Sequence, residues 1–262
     1  MIDLKYFLYE KSEGIATVTM HRPEVLNALS NPTLLEFKEI LQTLKSDEEV
    51  IVVLLTGEGR SFCVGSDLKS PDLPTDPPAY HGILGQEVAN MIEHLPKPVI
   101  AVVNGYALGG GMEMLLACDL RIASDEATFG LPEVDLGGVP GFGGTQRLSR
   151  QIGLPMAKEI LFTGEHMDAQ EAYRIGLVNR LVPKKKLMDV ARELAKKLTL
   201  KNPVVLERLK FLANNASDIP VNMGVLYELM SFGPSGAVRP PKEGTPAFQA
   251  TKDYRERFSK KG

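Results

Sequence analysis

Apolar residues recur with two periods along this chain. The β-branched run at 15–20 follows residues 6–9 across Glu10-Lys11-Ser12-Glu13-Gly14, which predicts a hairpin. Asn31 followed by Pro32 predicts a helix with Asn31 as its N-cap. Leu34, Phe37, Leu41 and Leu44 then fall on one helical face. Val50-Ile51-Val52-Val53-Leu54-Leu55 is apolar at every position, as in a parallel strand covered on both sides. A helix over 83–95 leads to a second such strand at 98–104. Between these, residues 70–80 hold Pro71, Pro74, Pro77 and Pro78 and fit neither element, so they read as a lid or as a plain surface excursion.

The sequence Gly105-Tyr106-Ala107-Leu108-Gly109-Gly110-Gly111 turns the second strand into a helix through Met114, Leu115 and Ala117. A second glycine-rich stretch, 137–144, precedes Thr145-Gln146-Arg147-Leu148. Beyond Pro155 the pattern is mainly helical: a short helix capped by Asp168 and stopped by Gly176, then helices over 186–198, 203–214 and 221–230. The run Lys184-Lys185-Lys186 reads as a solvated helix start, and the tail from Gly233 is richer in Pro, Gly and charge.

Composition narrows the function classes. The 262 residues carry 30 Lys+Arg and 33 Asp+Glu, a net charge of −3, which gives no electrostatic footprint for nucleic acid. Cys63 and Cys118, the only cysteines, exclude a disulfide framework and a cysteine-based metal site, and each reads as a small buried hydrophobe. The apolar stretch 99–118 is broken by Asn104, glycines and Glu113, so no membrane partner is expected. Met1-Ile2-Asp3-Leu4-Lys5 lacks a signal-peptide pattern, and the expected compartment is cytoplasmic. His21, His81, His94 and His166 are not spaced as metal ligands. The glycine patterns of dinucleotide, P-loop and serine-hydrolase sites are missing.

The candidate chemistry lies at Gly109, Gly110 and Gly111. Without Cβ atoms a ligand can approach the backbone, and the first N–H groups of the helix have no intrahelical partner. Such a terminus suits negative charge, including a developing oxyanion; close helix–strand packing explains the same glycines. Glu113 follows, either as a first-turn acid favoured by the dipole or as a reacting carboxylate. Glu133, in Phe129-Gly130-Leu131-Pro132-Glu133, reads by itself as an exposed loop carboxylate.

Taken together, several segments resemble the crotonase superfamily (the enoyl-CoA hydratase/isomerase family). They are Arg22-Pro23 with Asn27-Ala28-Leu29; Ser61-Phe62-Cys63-Val64-Gly65-Ser66-Asp67-Leu68; the stretch 97–113; Cys118-Asp119-Leu120-Arg121-Ile122-Ala123; 129–133; Pro140-Gly141-Phe142-Gly143-Gly144-Thr145-Gln146-Arg147-Leu148; and 172–178. The ordered match covers about 5–215. It implies an α/β fold, a spiral of ββα turns over 1–198 holding the active site, and a C-terminal helical region over 199–262. It also implies homotrimers, commonly paired into hexamers, and an acyl-CoA thioester substrate whose CoA is no separate cofactor. The resemblance puts the oxyanion-hole N–H groups at Ser66 and Gly110, with serine where many relatives have alanine. CoA contacts fall on Ser66, Asp67, Leu68, Lys69, Gly109 and Gly110, and Phe142 walls the acyl pocket.

Glu113 and Glu133 occupy the two positions that are both glutamate in hydratases. The expected enzyme is therefore an enoyl-CoA hydratase, a lyase of fatty-acid-like β-oxidation, with Glu113 activating water and Glu133 exchanging a proton at the α-carbon. No metal is expected. The alternatives are another crotonase reaction, such as double-bond isomerisation or hydration of a cyclic or carnitine-type thioester, and a non-catalytic acyl-CoA-binding module.

Overall fold

The computed structural model describes residues 4–71, 79–232, 243–246, 248–249 and 252–253. In chain order the elements are β1 (Phe7–Ser12), β2 (Ile15–Met20), α1 (Asn31–Ser46), β3 (Val52–Gly57), β4 (Ser61–Cys63), α2 (Tyr80–Glu93), β5 (Val99–Val103), β6 (Tyr106–Leu108), α3 (Gly110–Ala117), β7 (Leu120–Ser124) and β8 (Thr128–Gly130). There follow α4 (Gly144–Ile152), α5 (Leu154–Thr163), β9 (Met167–Asp168), α6 (Ala169–Arg174), β10 (Arg180–Val182), α7 (Leu187–Thr199), α8 (Pro203–Asn215) and α9 (Val221–Phe232). Short 3-10 turns cover Pro23–Val25, Pro132–Leu136 and Lys184–Lys186.

Successive chain turns each give one strand to each of two sheets. A six-stranded sheet runs β1-β2-β3-β5-β7-β10 and a four-stranded sheet runs β4-β6-β8-β9. The pairs β3/β4, β5/β6 and β7/β8 are the repeating unit, with α2 and α3 closing the first two turns. From β2 to β10 the large sheet is parallel, as is β4-β6-β8 in the small one. Both faces of the large sheet are covered, which explains its unbroken apolar strands. Val53, Leu55, Ala101 and Val103 face the main core with Phe37, Phe62 and Phe129. Val52, Leu54, Ile100, Val102 and Ile122 face Leu187, Ala191 and Ala195 of α7.

Two sequence expectations shift. The hairpin turn is only Glu13-Gly14, because pairing runs from Phe7↔Met20 to Ser12↔Ile15. Both turn residues have positive φ, 53° and 77°, suited to a two-residue hairpin loop. Glu10, Lys11 and Ser12 remain in β1, which is an edge strand, so their polar side chains stay in water. In α1 the cap is Ser30, whose Oγ accepts from Thr33 N–H at 3.4 Å, with Asn31 and Pro32 as the first two helical residues. The Asn31 side chain, not used as the cap, reaches another element, described below. The proline-rich stretch at 72–78, and with it the lid or excursion reading, lies outside the described residues.

In the C-terminal region, α8 is fixed to the spiral by Lys210. Its ammonium donates to Ile92 O and Lys97 O, both at 3.1 Å, and to Asp119 Oδ2 at 2.8 Å. The following α9 leaves Val221, Leu229, Met230 and Phe232 exposed.

Candidate active site

Two backbone segments meet at the end of the small sheet. Gly65, just after β4, has φ +88°, and a Cβ there would lie 2.7 Å from Gly110 N, so no side chain fits between the segments. Leu29 flanks Ser66 in a parallel bridge: Leu29 N–H donates to Gly65 O and Asp67 N–H donates to Leu29 O, each at 2.8 Å. In such a pairing the N–H of the residue opposite points the other way, so that of Ser66 is turned from Leu29. Gly110 opens α3 after Gly109, which adopts φ +51°, and its N–H precedes the first intrahelical bond. Among the described residues neither Ser66 N–H nor Gly110 N–H has an acceptor.

Every residue of α3 is buried, and Glu113 is its only charged one, 2% exposed. A carboxylate in such a helix is expensive without donors. Phe142 N–H and Gly144 N–H supply two, at 2.8 and 2.6 Å from Oε1. The approach requires glycine at 144, where a Cβ would lie 2.8 Å from Glu113 Cγ. Burial outweighs those donors and, with the neighbouring charge of Glu133 adding to it, pushes the Glu113 carboxyl up to about 7.

Glu133 is not an exposed loop residue. It is partly buried in the Pro132–Leu136 turn, which Gly138 N–H closes by donating to Glu133 O at 2.9 Å. Its Oε1 stands 3.3 Å from where a Cβ of Gly109 would be, at the mouth of α3. Its Oε2 is buried without a hydrogen-bond partner among the described residues, and burial raises its pKa. The structure thus brings Ser66, the Gly109–Gly110–Glu113 start of α3 and Glu133 into one neighbourhood from three separate places in the chain.

Phe142 closes one side. Its ring lies against Gly110 and Gly85, where added Cβ atoms would sit 2.7 and 2.1 Å from it, and tilts against the His81 ring with centroids 5.3 Å apart. His81, in the first turn of α2, is a residue that sequence reasoning passed over. Its Nε2 is 2.9 Å from Ser66 Oγ and its Nδ1 is 2.7 Å from Asn31 Oδ1. No spacing signal links these three, because a loop and a helix separate them in the chain. Of the remaining segment, Asp67 turns inward, with Oδ2 accepting from Arg22 Nη2 at 2.9 Å, whereas Leu68 and Lys69 are exposed.

Comparison with known proteins agrees with this architecture. Residues 10–257 match the family model described as enoyl-CoA hydratase/isomerase. The chain belongs to the enoyl-CoA hydratase/isomerase family. It is 43% identical over 249 residues to the short-chain-enoyl-CoA hydratase of Clostridium acetobutylicum, covering 94% of this chain and 95% of that one. It is 41% identical over 243 residues to the crotonyl-CoA hydratase of Syntrophomonas wolfei, covering 92% and 94%. Among solved structures, the enoyl-CoA hydratase of Bacillus anthracis superimposes with a TM-score of 0.89 at 35% identity, over 95% of this chain and 97% of that one. The two-sheet spiral with its trailing helices is thus the α/β crotonase fold expected from the sequence.

Proposed function

We propose that this protein is an enoyl-CoA hydratase, adding water across the α,β double bond of an enoyl-CoA thioester. The observation that carries the reading is the pairing of a buried and a partly buried carboxyl, both with raised pKa, beside two N–H groups at the mouth of α3 that have no acceptor among the described residues. The similarity to short-chain-enoyl-CoA and crotonyl-CoA hydratases supports the same reaction.

In this mechanism the thioester oxygen accepts from Ser66 N–H and Gly110 N–H. The positive end of α3 adds to the attraction, so charge moves onto oxygen and the β-carbon becomes electrophilic. Oxyanion donors of this kind contribute about 10²–10³ each in rate. The reaction requires Glu113 ionised, a form supported by the two N–H donors to its Oε1, and Glu133 protonated, a form supported by its burial. Glu113 then takes a proton from water as the oxygen attacks the β-carbon, and Glu133 delivers its proton to the α-carbon. Both proton movements use side chains of the chain itself, so the proposed reaction takes no cofactor beyond the CoA of its substrate.

Phe142 and His81 wall the acyl group, and the exposed Leu68 and Lys69 run along the CoA. Exposed apolar residues at Leu136, Val139, Leu154 and Phe162, with the apolar groove between α8 and α9, support self-association as trimers or paired trimers. Among the described residues no helix is long and apolar enough to cross a membrane; a cytoplasmic location is part of the proposal. The test is hydration of purified crotonyl-CoA, followed by loss of the conjugated-thioester absorbance. Glu133→Gln should lower the rate about 10²–10⁴-fold. Turnover close to the parent in that variant would reject its role.

A further inference from the structure

The hydration mechanism uses the backbone of Ser66 but leaves its hydroxyl idle, and that hydroxyl is not randomly placed. Asn31 Oδ1 can only accept, so the 2.7 Å contact makes His81 Nδ1 the protonated nitrogen. Burial lowers the His81 pKa and keeps the ring neutral. The Nε2 lone pair therefore faces Ser66 Oγ at 2.9 Å and accepts from its hydroxyl. The α2 backbone and the Phe142 ring hold the imidazole in that orientation. A hydroxyl hydrogen-bonded to a neutral imidazole, itself oriented by an amide oxygen, is the arrangement that activates a serine nucleophile. Here the same serine carries one of the two N–H groups that face a thioester oxygen.

We propose that Ser66, His81 and Asn31 form a second reaction centre that cleaves the thioester of bound acyl-CoA through an acyl-serine intermediate. Ser66 Oγ attacks the thioester carbonyl carbon while His81 Nε2 takes the hydroxyl proton. The tetrahedral oxyanion rests on the N–H groups of Ser66 and Gly110. The C–S bond then breaks, and the CoA thiolate leaves with the proton from the His81 imidazolium. Water, deprotonated by His81, attacks the acyl ester, releasing a carboxylic acid and restoring Ser66. Asn31 is a positioning residue that fixes the imidazole tautomer. The substrate class is a short acyl-CoA thioester, saturated or not, since no step needs a double bond. The inference rests on the thioester-binding reading above.

Butyryl-CoA tests it, because a saturated chain cannot be hydrated. Binding is measured by calorimetry, release of CoA thiol by a chromogenic disulfide, and acylation by mass spectrometry of acid-quenched peptides. Cys63 and Cys118 are buried with thiols pushed up to about 12, so the native protein adds little thiol background. The parent should release thiol above the enzyme-free rate and carry a butyryl group on the peptide containing Ser66. Release should fall to the enzyme-free rate in Ser66→Ala and about 10²-fold in His81→Gln, with the circular dichroism spectrum and thermal midpoint of His81→Gln as the check on folding. If His81→Gln misfolds, the adduct on the parent decides. Bound butyryl-CoA with neither release nor adduct overturns this inference alone, as does release that survives Ser66→Ala. Failure of butyryl-CoA to bind overturns the thioester-binding reading with it.

Discussion

Replacing Glu113 with glutamine separates the charge of this residue from its hydrogen bonds. The amide oxygen can still accept from Phe142 N–H and Gly144 N–H, but no ionised form remains. The Glu113 carboxyl is pushed up to about 7 in the folded protein, against 4.5 for an ordinary glutamate. The folded state therefore holds this proton more tightly than the unfolded state. Its cost to stability is absent below the lower value, grows as pH rises between the two and is complete above about 7. At 1.36 kcal/mol per pKa unit the full cost is about 3 kcal/mol, and at pH 5 only about 1 kcal/mol of it is present. Glu113→Gln should thus gain about 2 kcal/mol relative to the parent on going from pH 5 to pH 8.5. Any fixed loss from the amide NH₂ group cancels in that difference. Urea unfolding of parent and variant at the two pH values measures it, at one protein concentration so that self-association does not intrude. Crotonyl-CoA hydration should fall about 10²–10⁴-fold in the same variant. A stability difference that is the same at both pH values, or that moves the other way, would show that Glu113 is not held in the folded protein as a reluctant anion.

Other outcomes follow from the same geometry. The kcat/KM for hydration should rise with pH through about 7 as Glu113 ionises, and an acidic limb near the ordinary glutamate value would contradict the burial argument. Gly144→Ala places a Cβ 2.8 Å from Glu113 Cγ; kcat should drop at least about tenfold while circular dichroism stays that of the parent, since the clash falls on the carboxylate clamp. Lys210→Met leaves Asp119 buried beside α8 without its cation and should cost about 3–5 kcal/mol, read as a lowered thermal midpoint.

The sequence by itself determined the layers. Unbroken apolar runs at 50–55 and 98–104 announced strands covered on two faces, and the structure covers them with the main core on one side and α7 on the other. The glycines at 109–111 announced a helix N-terminus open to close approach, because absent side chains are visible in any sequence. Family resemblance carried the reading further, to the Glu113 and Glu133 pair. Local pattern was weaker where a choice depended on distant neighbours. It kept Glu10, Lys11 and Ser12 out of β1 because it could not know that β1 is an edge, and it put the α1 cap one residue late. It read Glu133 as an exposed loop carboxylate, since burial of its Oε2 comes from packing at the mouth of α3 rather than from its own surroundings in the chain. His81 is legible in the sequence only as a histidine not spaced as a metal ligand, not as a partner of the site. Its partners, Ser66 and Asn31, lie on other elements, and only the closure of the spiral aligns a ring nitrogen with each. Periodicity reports which side of an element is buried; which polar atoms then face one another is decided by how the elements pack.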